Sequence, residues 1–515
     1  MLGVLWWLWQ GVSSHYDTPP ARIAAVGVLA VLVAGTRIPP LAWLWWGLGV
    51  LTIFWSLAPG NTLGLGQWEL LYLAALVAGR WLPGMWALNL LLVAFSLYTN
   101  LALGATGLTM YVSGSSNYIA GAQALLIIPP LISYLAHKPR WPLFASLALV
   151  GALYATLISG ARAVYLPLGI LLALGLWRLW REQVKLSRLL LASALFALVL
   201  VGIDYAVPFH PMRQALGFKA ALSQQPGELA PQGNVGSRLQ MWEQTLSIAA
   251  QYPQGTGNGS FRDVLPAFQL YPGLIFSSPH NYYLETAATG GWLRLLALLA
   301  LLYGLVTAWR TPAWPWALGA AGLWITLAFD ITGMYPSFMM LAFASLGTAT
   351  LSGRQAKIPA LVLAALAGAA FALVLWWQLP CPQVCPRHLA FRPEILGALR
   401  SASTKERAVL LDTAAKHNPK SVWVLRARIN YADTDENKLD WLREANRQYP
   451  LYSPYYYLEQ AKLADKLGHR KEAIDVLKRG LERFPPELQV TASSRPGYAI
   501  WSEEAPKLLR QMESQ

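Results

Sequence analysis

The chain has 515 residues, of which 55% are hydrophobic and only 13% are charged. A soluble domain carries about 25% charged residues, so this composition excludes an ordinary soluble protein and indicates a helical membrane protein. The formal net charge is +14. Because the basic residues of the first part lie between apolar runs, they are typical of membrane topology rather than of a nucleic-acid-binding patch. We therefore expect no nucleic acid partner.

The density of charged residues rises near residue 379. Residues 1–378 contain 18 Lys and Arg with 9 Asp and Glu, whereas residues 379–515 contain 22 and 17. The second part is therefore charged like a water-soluble protein. The sequence predicts two domains, a transmembrane domain over 1–378 and a soluble C-terminal domain over 379–515.

Twelve runs in the first domain are apolar and reach roughly the 17 to 20 residues that a membrane span needs. They are 21–36, 41–57, 63–79, 85–104, 117–135, 141–159, 163–180, 189–207, 284–308, 314–331, 336–352 and 358–378. Residues 2–12 are also apolar, and they form either a short extra span or a segment lying in the membrane interface. The predicted fold class is all-α, a polytopic membrane helix bundle of about 12 or 13 spans with a soluble C-terminal helical-repeat domain.

The basic residues predict how the bundle is oriented, because Lys and Arg are enriched in cytoplasmic connections. They occupy every second connection, namely Arg37, Arg80, His137–Arg140, Arg178–Arg188, Arg310 and Arg354–Lys357. One orientation satisfies all of these connections. It places the long segment 208–283 and the C-terminal domain on the outer side of the membrane.

Residues 454–485 resemble one tetratricopeptide repeat, a helix pair of about 34 residues. Gly468 is expected at the turn, and the small Ala461 and Ala473 would let the two helices approach each other. Residues 420–450 are predicted to form a degenerate neighbouring unit, and an ordinary helical bundle is the alternative. Both interpretations favour a docking surface, for instance for a protein partner, over a catalytic domain.

Cys381 and Cys385 follow the last predicted span on the expected outer side. An oxidising compartment would permit a disulfide between them, whereas the shortness of the loop equally allows two free thiols. A zinc ion usually takes four ligands, and only His388 is nearby. We therefore expect no metal at this point.

The segment 208–283 is the one sizeable connection within the transmembrane domain, and connections beyond about 15 residues are usually functional. Arg238 begins a predicted amphipathic helix, and a glycine-rich run follows over 252–261. No predicted strand precedes this run, so it is not a dinucleotide-binding fingerprint. A tight backbone turn near a ligand is the better interpretation.

His280 lies where this segment enters a predicted span. An imidazole titrates near neutral pH and can take a proton from a hydroxyl group. At the outer end of a helix it could face both water and a lipid-borne substrate. The structural alternative is a loop histidine beside a helix N-terminus capped by Ser278 or Asn281.

Two arginines are expected at the same outer level, Arg162 in a turn between two spans and Arg238 in the long segment. One guanidinium group can bind two phosphate oxygens at once through two parallel N–H groups. The alternative is that these side chains reach toward the membrane interface, although positive charge is usually enriched on the inner side. For Glu69 and Asp330, near the ends of spans, helix packing or capping is the favoured interpretation.

Three sequence motifs of this region resemble those of the O-antigen ligase and polymerase superfamily, which includes bacterial O-linked oligosaccharyltransferases. Gly-Thr-Gly-Asn-Gly-Ser-Phe begins at Gly255, Pro-His-Asn-Tyr-Tyr-Leu-Glu contains His280, and Ala-Thr-Gly-Gly-Trp-Leu follows. The Ser-Gly-Ala-Arg turn ending at Arg162 is similar to the family's Ser-Arg motif, although Gly-Ala intervenes. Arg238 matches the arginine that begins the family's loop helix. The resemblance covers roughly residues 40–350.

The resemblance implies an inverting membrane glycosyltransferase that needs neither a metal nor another cofactor. Its donor would be a glycan on a polyprenyl diphosphate such as undecaprenyl diphosphate, and its site would lie at the outer face of the bacterial inner membrane. Arg162 and Arg238 would bind the diphosphate, and His280 would deprotonate the acceptor hydroxyl. Further residues would orient the histidine or bind the sugar, namely Asn281, Tyr282, Glu285 and Gly257.

The acceptor stays open at this point. A ligase transfers the glycan to a lipid such as lipid A–core, a polymerase to a second lipid-linked glycan, and an oligosaccharyltransferase to a protein. A transporter of the same lipid-linked glycan is an alternative of a different class. It would need charged residues within the spans or helices broken in mid-membrane, and the sequence concentrates its polar residues at the outer rim instead.

Overall fold

A computed structural model gives the fold of this protein. It describes residues 38–79, 109–110, 115–116, 118–137, 140–158, 162–183, 194, 197–198, 201–202, 235–272, 276, 278–329, 336–350, 403–417, 420–486 and 495–514. Asp330, Cys381, Cys385 and the predicted spans 21–36, 85–104 and 358–378 lie outside these residues, as does nearly all of 189–207.

Helices make up almost all of the described part of the first domain. They are α1 (Pro40–Leu51), α2 (Pro59–Ala78), α3 (Tyr118–Ala136), α4 (Pro142–Ile158), α5 (Arg162–Arg181), α6 (Val235–Gln251), α7 (Phe261–Val264), α8 (Tyr282–Gly290), α9 (Trp292–Ala308), α10 (Trp314–Thr326) and α11 (Pro336–Thr350). Short 3₁₀ turns, Thr52–Phe54 and Leu265–Phe268, follow α1 and α7. A hairpin of two-residue strands, β1 (Thr109–Met110) and β2 (Ser115–Ser116), pairs antiparallel with Thr109 opposite Ser116.

Small residues let the central helices pack closely. A Cβ atom on Gly319 of α10 would lie 2.4 Å from the carbonyl oxygen of Leu126 in α3, and one on Gly347 of α11 would lie 1.7 Å from that of Leu76 in α2. Glycine at such points allows backbones to approach, as in membrane helix pairs. Around these crossings the core is built from large aromatic and aliphatic side chains, including Trp45, Tyr72, Trp324 and Phe343.

Among the described residues, one helix, Ala163–Arg181, is long and apolar enough to cross a membrane by length and composition, and six shorter apolar helices of 10–17 residues accompany it. Helix α9 also exposes Leu293, Leu296 and Tyr303 at helical spacing. An exposed apolar stripe of this kind indicates contact with lipid or protein. Seven of the predicted spans coincide with helices α1–α5, α10 and α11, and an eighth, 284–308, covers both α8 and α9. The number of times the chain crosses a membrane stays a prediction.

The predicted continuous span 284–308 is wrong. The structure divides it into α8 and α9 at Gly291, whose φ of 85° is left-handed and requires glycine. A Cβ atom there would also lie 2.7 Å from the carbonyl oxygen of Gln254. The break results from a close approach of the glycine-rich run, which the apolar composition of 284–308 could not indicate.

The described part of the C-terminal domain is helical. It contains α12 (Thr404–His417), α13 (Val422–Asn430), α14 (Asp435–Gln448), α15 (Pro454–Lys466), α16 (Arg470–Arg483) and α17 (Arg495–Ser514). Helices α15 and α16 form the predicted pair, with Gly468 at φ 84° in the turn and Ala461 and Ala473 fully buried. The assignment of this pair as a tetratricopeptide repeat stays a prediction.

The C-terminal domain contacts the segment that carries the candidate site. The guanidinium of Arg262 in α7 lies 5.9 Å from the ring centroid of Trp423 in α13, and Ala267 packs against the hydrophobic core of the C-terminal domain. On its other side α7 joins the helix bundle, because the Asn61 amide of α2 donates to the Asp263 carboxylate. Helix α7 therefore lies between the two domains.

Candidate active site

His280 is placed by the turn that begins α8. Its φ of 53° is left-handed, which is uncommon for a residue with a side chain and is often found at functional sites. The backbone N–H of His280 donates to Ser278 Oγ at 3.2 Å, and that hydroxyl donates to Glu285 Oε2 at 3.0 Å. Glu285, one turn into α8, thus helps to hold the backbone conformation on which the imidazole depends.

Asn281 and Tyr282 hold the start of the same helix. Asn281 is the N-cap of α8, because its side-chain oxygen accepts from the N–H groups of Tyr283 and Leu284 at 3.1 Å. The N–H of Tyr282 donates to the carbonyl oxygen of Leu327 at 2.8 Å, beyond the end of α10. Capping by Asn281, one of the two residues proposed for it from the sequence, is confirmed.

Arg238 reaches this turn from α6. It lies in the first turn of that helix, which confirms the predicted amphipathic helix, and it donates to the carbonyl oxygen of Phe329. One turn later, Trp242 Nε1 donates to the carbonyl oxygen of Pro279 at 3.0 Å. Residues four apart share a helix face, so this face of α6 brings Arg238 to His280, 42 positions away in the chain.

The surroundings of His280 keep its imidazole neutral. Burial, and to a smaller extent the charge of Arg238, lower its pKa from the ordinary 6.5 to about 4. In the part of the chain that the structure describes, His280 Nδ1 and Arg238 Nε are both buried and have no hydrogen-bond partner. Buried polar atoms are nearly always paired in proteins, so this pair has unused capacity to bind a polar group.

Arg162 is the first residue of α5. The N-terminus of a helix carries a partial positive charge and free N–H groups, which favour an anion. The side chain of Arg162 lies outside the described part of the structure. That Arg162 and Arg238 bind one diphosphate therefore stays a prediction.

Gly257 belongs to a loop over residues 252–260, here called the glycine loop, that packs between helices. Its φ is 116°, and a Cβ atom would lie 2.0 Å from the hydroxyl oxygen of Ser56. Its N–H donates to the carbonyl oxygen of Thr289 at 2.9 Å. This packing accounts for glycine at position 257, and a contact with the sugar stays a prediction.

Two buried polar residues of this region were not singled out from the sequence, Asn258 and Arg294. Together with Glu69 they form a hydrogen-bonded network between the glycine loop and the helices. Glu69 thus packs between helices, as favoured from the sequence. Arg294 could have been found, because a charged residue inside an apolar run of this length is rare and has a partner.

Among the residues that the structure describes, no three His, Cys, Asp or Glu side chains come close enough to hold a metal ion. Glu285, five positions after His280 in the chain, accepts a hydrogen bond from Ser278. The positive charge near His280 is instead that of Arg238. That the reaction needs no metal ion stays a prediction.

Comparison with known protein families decides the class. Residues 144–299 match the family model described as O-antigen ligase. The chain carries an O-antigen ligase domain. This match supports the O-antigen ligase superfamily, whose members are membrane proteins. No curated protein and no solved structure matches the chain.

The O-antigen ligase domain contains every residue that the sequence proposed for the site. These are Arg162, Arg238, Gly257, His280, Asn281, Tyr282 and Glu285. Within the domain the structure brings His280, Asn281, Tyr282, Glu285 and Arg238 together at the α6–α8 junction. Glu69, which pairs with Arg294 of the domain, lies outside the matched segment.

Proposed function

We propose that this protein transfers a glycan from a polyprenyl-diphosphate carrier to a hydroxyl acceptor at the outer face of the bacterial inner membrane, as a ligase of O-antigen type. The O-antigen ligase domain supports the class of reaction. One observation carries the proposal within that class. A neutral histidine and an arginine, 42 residues apart in the chain, meet with two buried nitrogen atoms unpaired among the described residues.

The reaction forms a bond between the acceptor oxygen and the anomeric carbon, with inversion, while the bond from that carbon to the diphosphate breaks. The electron pair of the broken bond leaves with the diphosphate, and the proton of the hydroxyl passes to the neutral imidazole of His280. Arg238, with Arg162 at the start of α5, stabilises the charge that the diphosphate gains. These residues supply the base and the positive charge without a metal or another cofactor.

The other proposed site residues position His280 or contact the substrate. Asn281 and Glu285 hold the turn on which His280 lies, Asn281 as the helix cap and Glu285 through Ser278. Tyr282 joins the turn to the end of α10. We also propose that Tyr282 and Gly257 contact the sugar.

The family description favours a ligase, whose acceptor is a lipid such as lipid A–core. Transfer to a second lipid-linked glycan or to a protein would make the protein a polymerase or an oligosaccharyltransferase. In each case the C-terminal domain, proposed to lie outside the cytoplasm, could hold a macromolecular partner. A transporter would move the lipid-linked glycan without breaking its bond to the diphosphate.

The assay combines purified protein in detergent with a polyprenyl-diphosphate glycan and a panel of lipid, glycan and protein acceptors. We expect release of polyprenyl diphosphate with one acceptor class. His280→Ala should lower the rate by about a hundredfold or more, because a general base contributes about that factor. His137→Ala is the matched control, since His137 is half exposed, lies in a connection predicted to be cytoplasmic and contacts Glu182. Full activity of His280→Ala would contradict the proposed base, and no release by the wild type would contradict the function.

A further inference from the structure

A fully buried ion pair joins two helices of the bundle, α2 and α9. Arg294 in the first turn of α9 donates through Nη2 to the carboxylate of Glu69 in α2, and the two side chains are 2% and 1% exposed. Arg294 Nε donates to the carbonyl oxygen of Trp45 at 3.2 Å, and its guanidinium lies 4.6 Å from the centroid of the Trp45 ring. A buried pair is tolerable only when its remaining hydrogen-bonding groups are satisfied.

Asn258 of the glycine loop completes the network. Its side-chain N–H groups donate to both carboxylate oxygens of Glu69 at 3.0 Å, and its side-chain oxygen accepts from Arg294 Nη1. Its backbone N–H donates to Thr52 Oγ1 at 2.9 Å. A loop residue that bonds to both members of an ion pair ties the loop to the two helices that carry the pair.

The other side of the glycine loop is bonded to the end of α8. The N–H groups of Thr256 and Gly257 donate to the carbonyl oxygens of Ala288 and Thr289 at 3.0 and 2.9 Å. The fit leaves no space, because a Cβ atom on Gly255 would lie 2.3 Å from the oxygen of Thr289. Helix α8 therefore has its last turn held by the glycine loop.

His280 lies directly before the cap residue of this same nine-residue helix. A short helix moves as a unit, so a shift of its last turn is transmitted to its first. The ion pair holds the loop, the loop holds α8, and α8 carries the turn of the base. The side-chain hydrogen bonds of Glu69, Asn258 and Arg294 join them to one another and to the backbone of Trp45, so any effect on His280 passes through the glycine loop and α8.

We infer that Glu69, Asn258 and Arg294 are positioning residues, which set the place of His280 through the glycine loop and α8. The expected effect on the transfer rate rests on the proposed function. The anchoring of α8 can be measured whether or not the protein transfers a glycan. Misplacement of a catalytic group by about 1 Å can cost up to a hundredfold in rate. The network should accordingly affect turnover more than donor binding.

The test uses the full-length protein in detergent with two variants. Asn258→Ala leaves the ion pair in place but frees the loop, so we expect kcat to fall about tenfold or more with KM for the donor nearly unchanged. Glu69→Gln leaves Arg294 without its counter-ion and should add a loss of thermal stability. Glu503→Gln is the matched control, because it removes the same charge from an exposed pair with Lys507.

Hydrogen–deuterium exchange supplies the readout that does not depend on activity. In Asn258→Ala we expect faster exchange at Thr256, Gly257 and residues 281–290, and unchanged exchange in the C-terminal domain. This result would support the anchoring of α8 by the glycine loop. Unchanged exchange there together with an unchanged kcat would overturn the inference. If the wild type transfers no glycan, the proposed function fails, and the exchange data alone decide whether the network anchors α8.

Discussion

At the scale of single residues, the environment of His280 decides how the proposed base works. In water a histidine is partly protonated near pH 6.5 and would then lack the lone pair that a base needs. Burial and Arg238 lower its pKa to about 4. The neutral form, which can accept a proton, is therefore the one present at physiological pH.

This pKa predicts an unusual pH profile for the transfer reaction. Because the free enzyme keeps His280 neutral above its lowered pKa, kcat/KM should be constant from about pH 8 to pH 5 and should fall only near pH 4. Transfer is measured across this range with a donor at concentrations well below KM. A half-maximal rate near pH 6.5, the value of an ordinary histidine, would contradict the role of burial.

The lowered pKa of His280 also makes the stability of the folded protein depend on pH. Below pH 6.5 the unfolded chain binds a proton at this histidine that the folded protein does not bind, so protonation favours unfolding. The contribution of His280 to stability is therefore present above pH 6.5 and declines as the pH falls toward 4. The decline should be weaker in His280→Ala than in the wild type.

At the scale of elements, α8 is a short helix whose two ends are held by different means. Asn281 caps its first turn, and the glycine loop contacts its last turn through backbone hydrogen bonds. Nine residues alone make a marginal helix in water. Its position therefore depends on these terminal contacts and on packing against α6 and α9.

Substitution of one glycine tests this close contact. Gly255→Ala should lower both the melting temperature and the transfer rate, because φ is 87° and the new methyl group would lie 2.3 Å from the oxygen of Thr289. Gly169→Ala in α5 is the matched control, since nothing lies within 4 Å of its Cβ position. Thermal unfolding and the transfer assay are measured on both variants, and equal behaviour would contradict the close fit.

At the scale of the whole molecule, α7 connects the O-antigen ligase domain to the C-terminal domain. Arg262 and Ala267 contact the C-terminal domain, while Asp263 accepts a hydrogen bond from Asn61 of the bundle. The glycine loop leads directly into α7. A partner bound to the C-terminal domain would thus be held close to the segment that carries the site.

Loss of the contact between Arg262 and Trp423 should loosen this connection. A cation–π contact is worth about 0.5–1 kcal/mol when exposed, so Trp423→Ala should speed hydrogen–deuterium exchange in residues 261–268 without unfolding either domain. Trp441→Ala is the matched control, because Trp441 lies under Arg428 within the C-terminal domain, 4.0 Å from its guanidinium carbon. If both variants exchanged alike in 261–268, the contact would not hold the two domains together.

Local sequence patterns predicted the elements and several details of the site. Apolar runs predicted the helices, because a helix buries side chains at regular spacing and needs no distant partner for its backbone hydrogen bonds. The cap at Asn281 and the helix beginning near Arg238 followed from residues within one turn of each other. The similarity to O-antigen ligases also rested on short motifs and is confirmed over residues 144–299.

The tertiary structure alone decided which of these residues meet. His280 and Arg238 are 42 positions apart, and Glu69 and Asn258 are 189 apart, so their contacts depend on how helices pack rather than on local spacing. The break at Gly291 has the same origin, because a neighbouring loop occupies the space that a continuous helix would need. The sequence by itself determined helices, caps and candidate chemistry, and packing determined the unpaired histidine–arginine pair and the buried network that holds it in place.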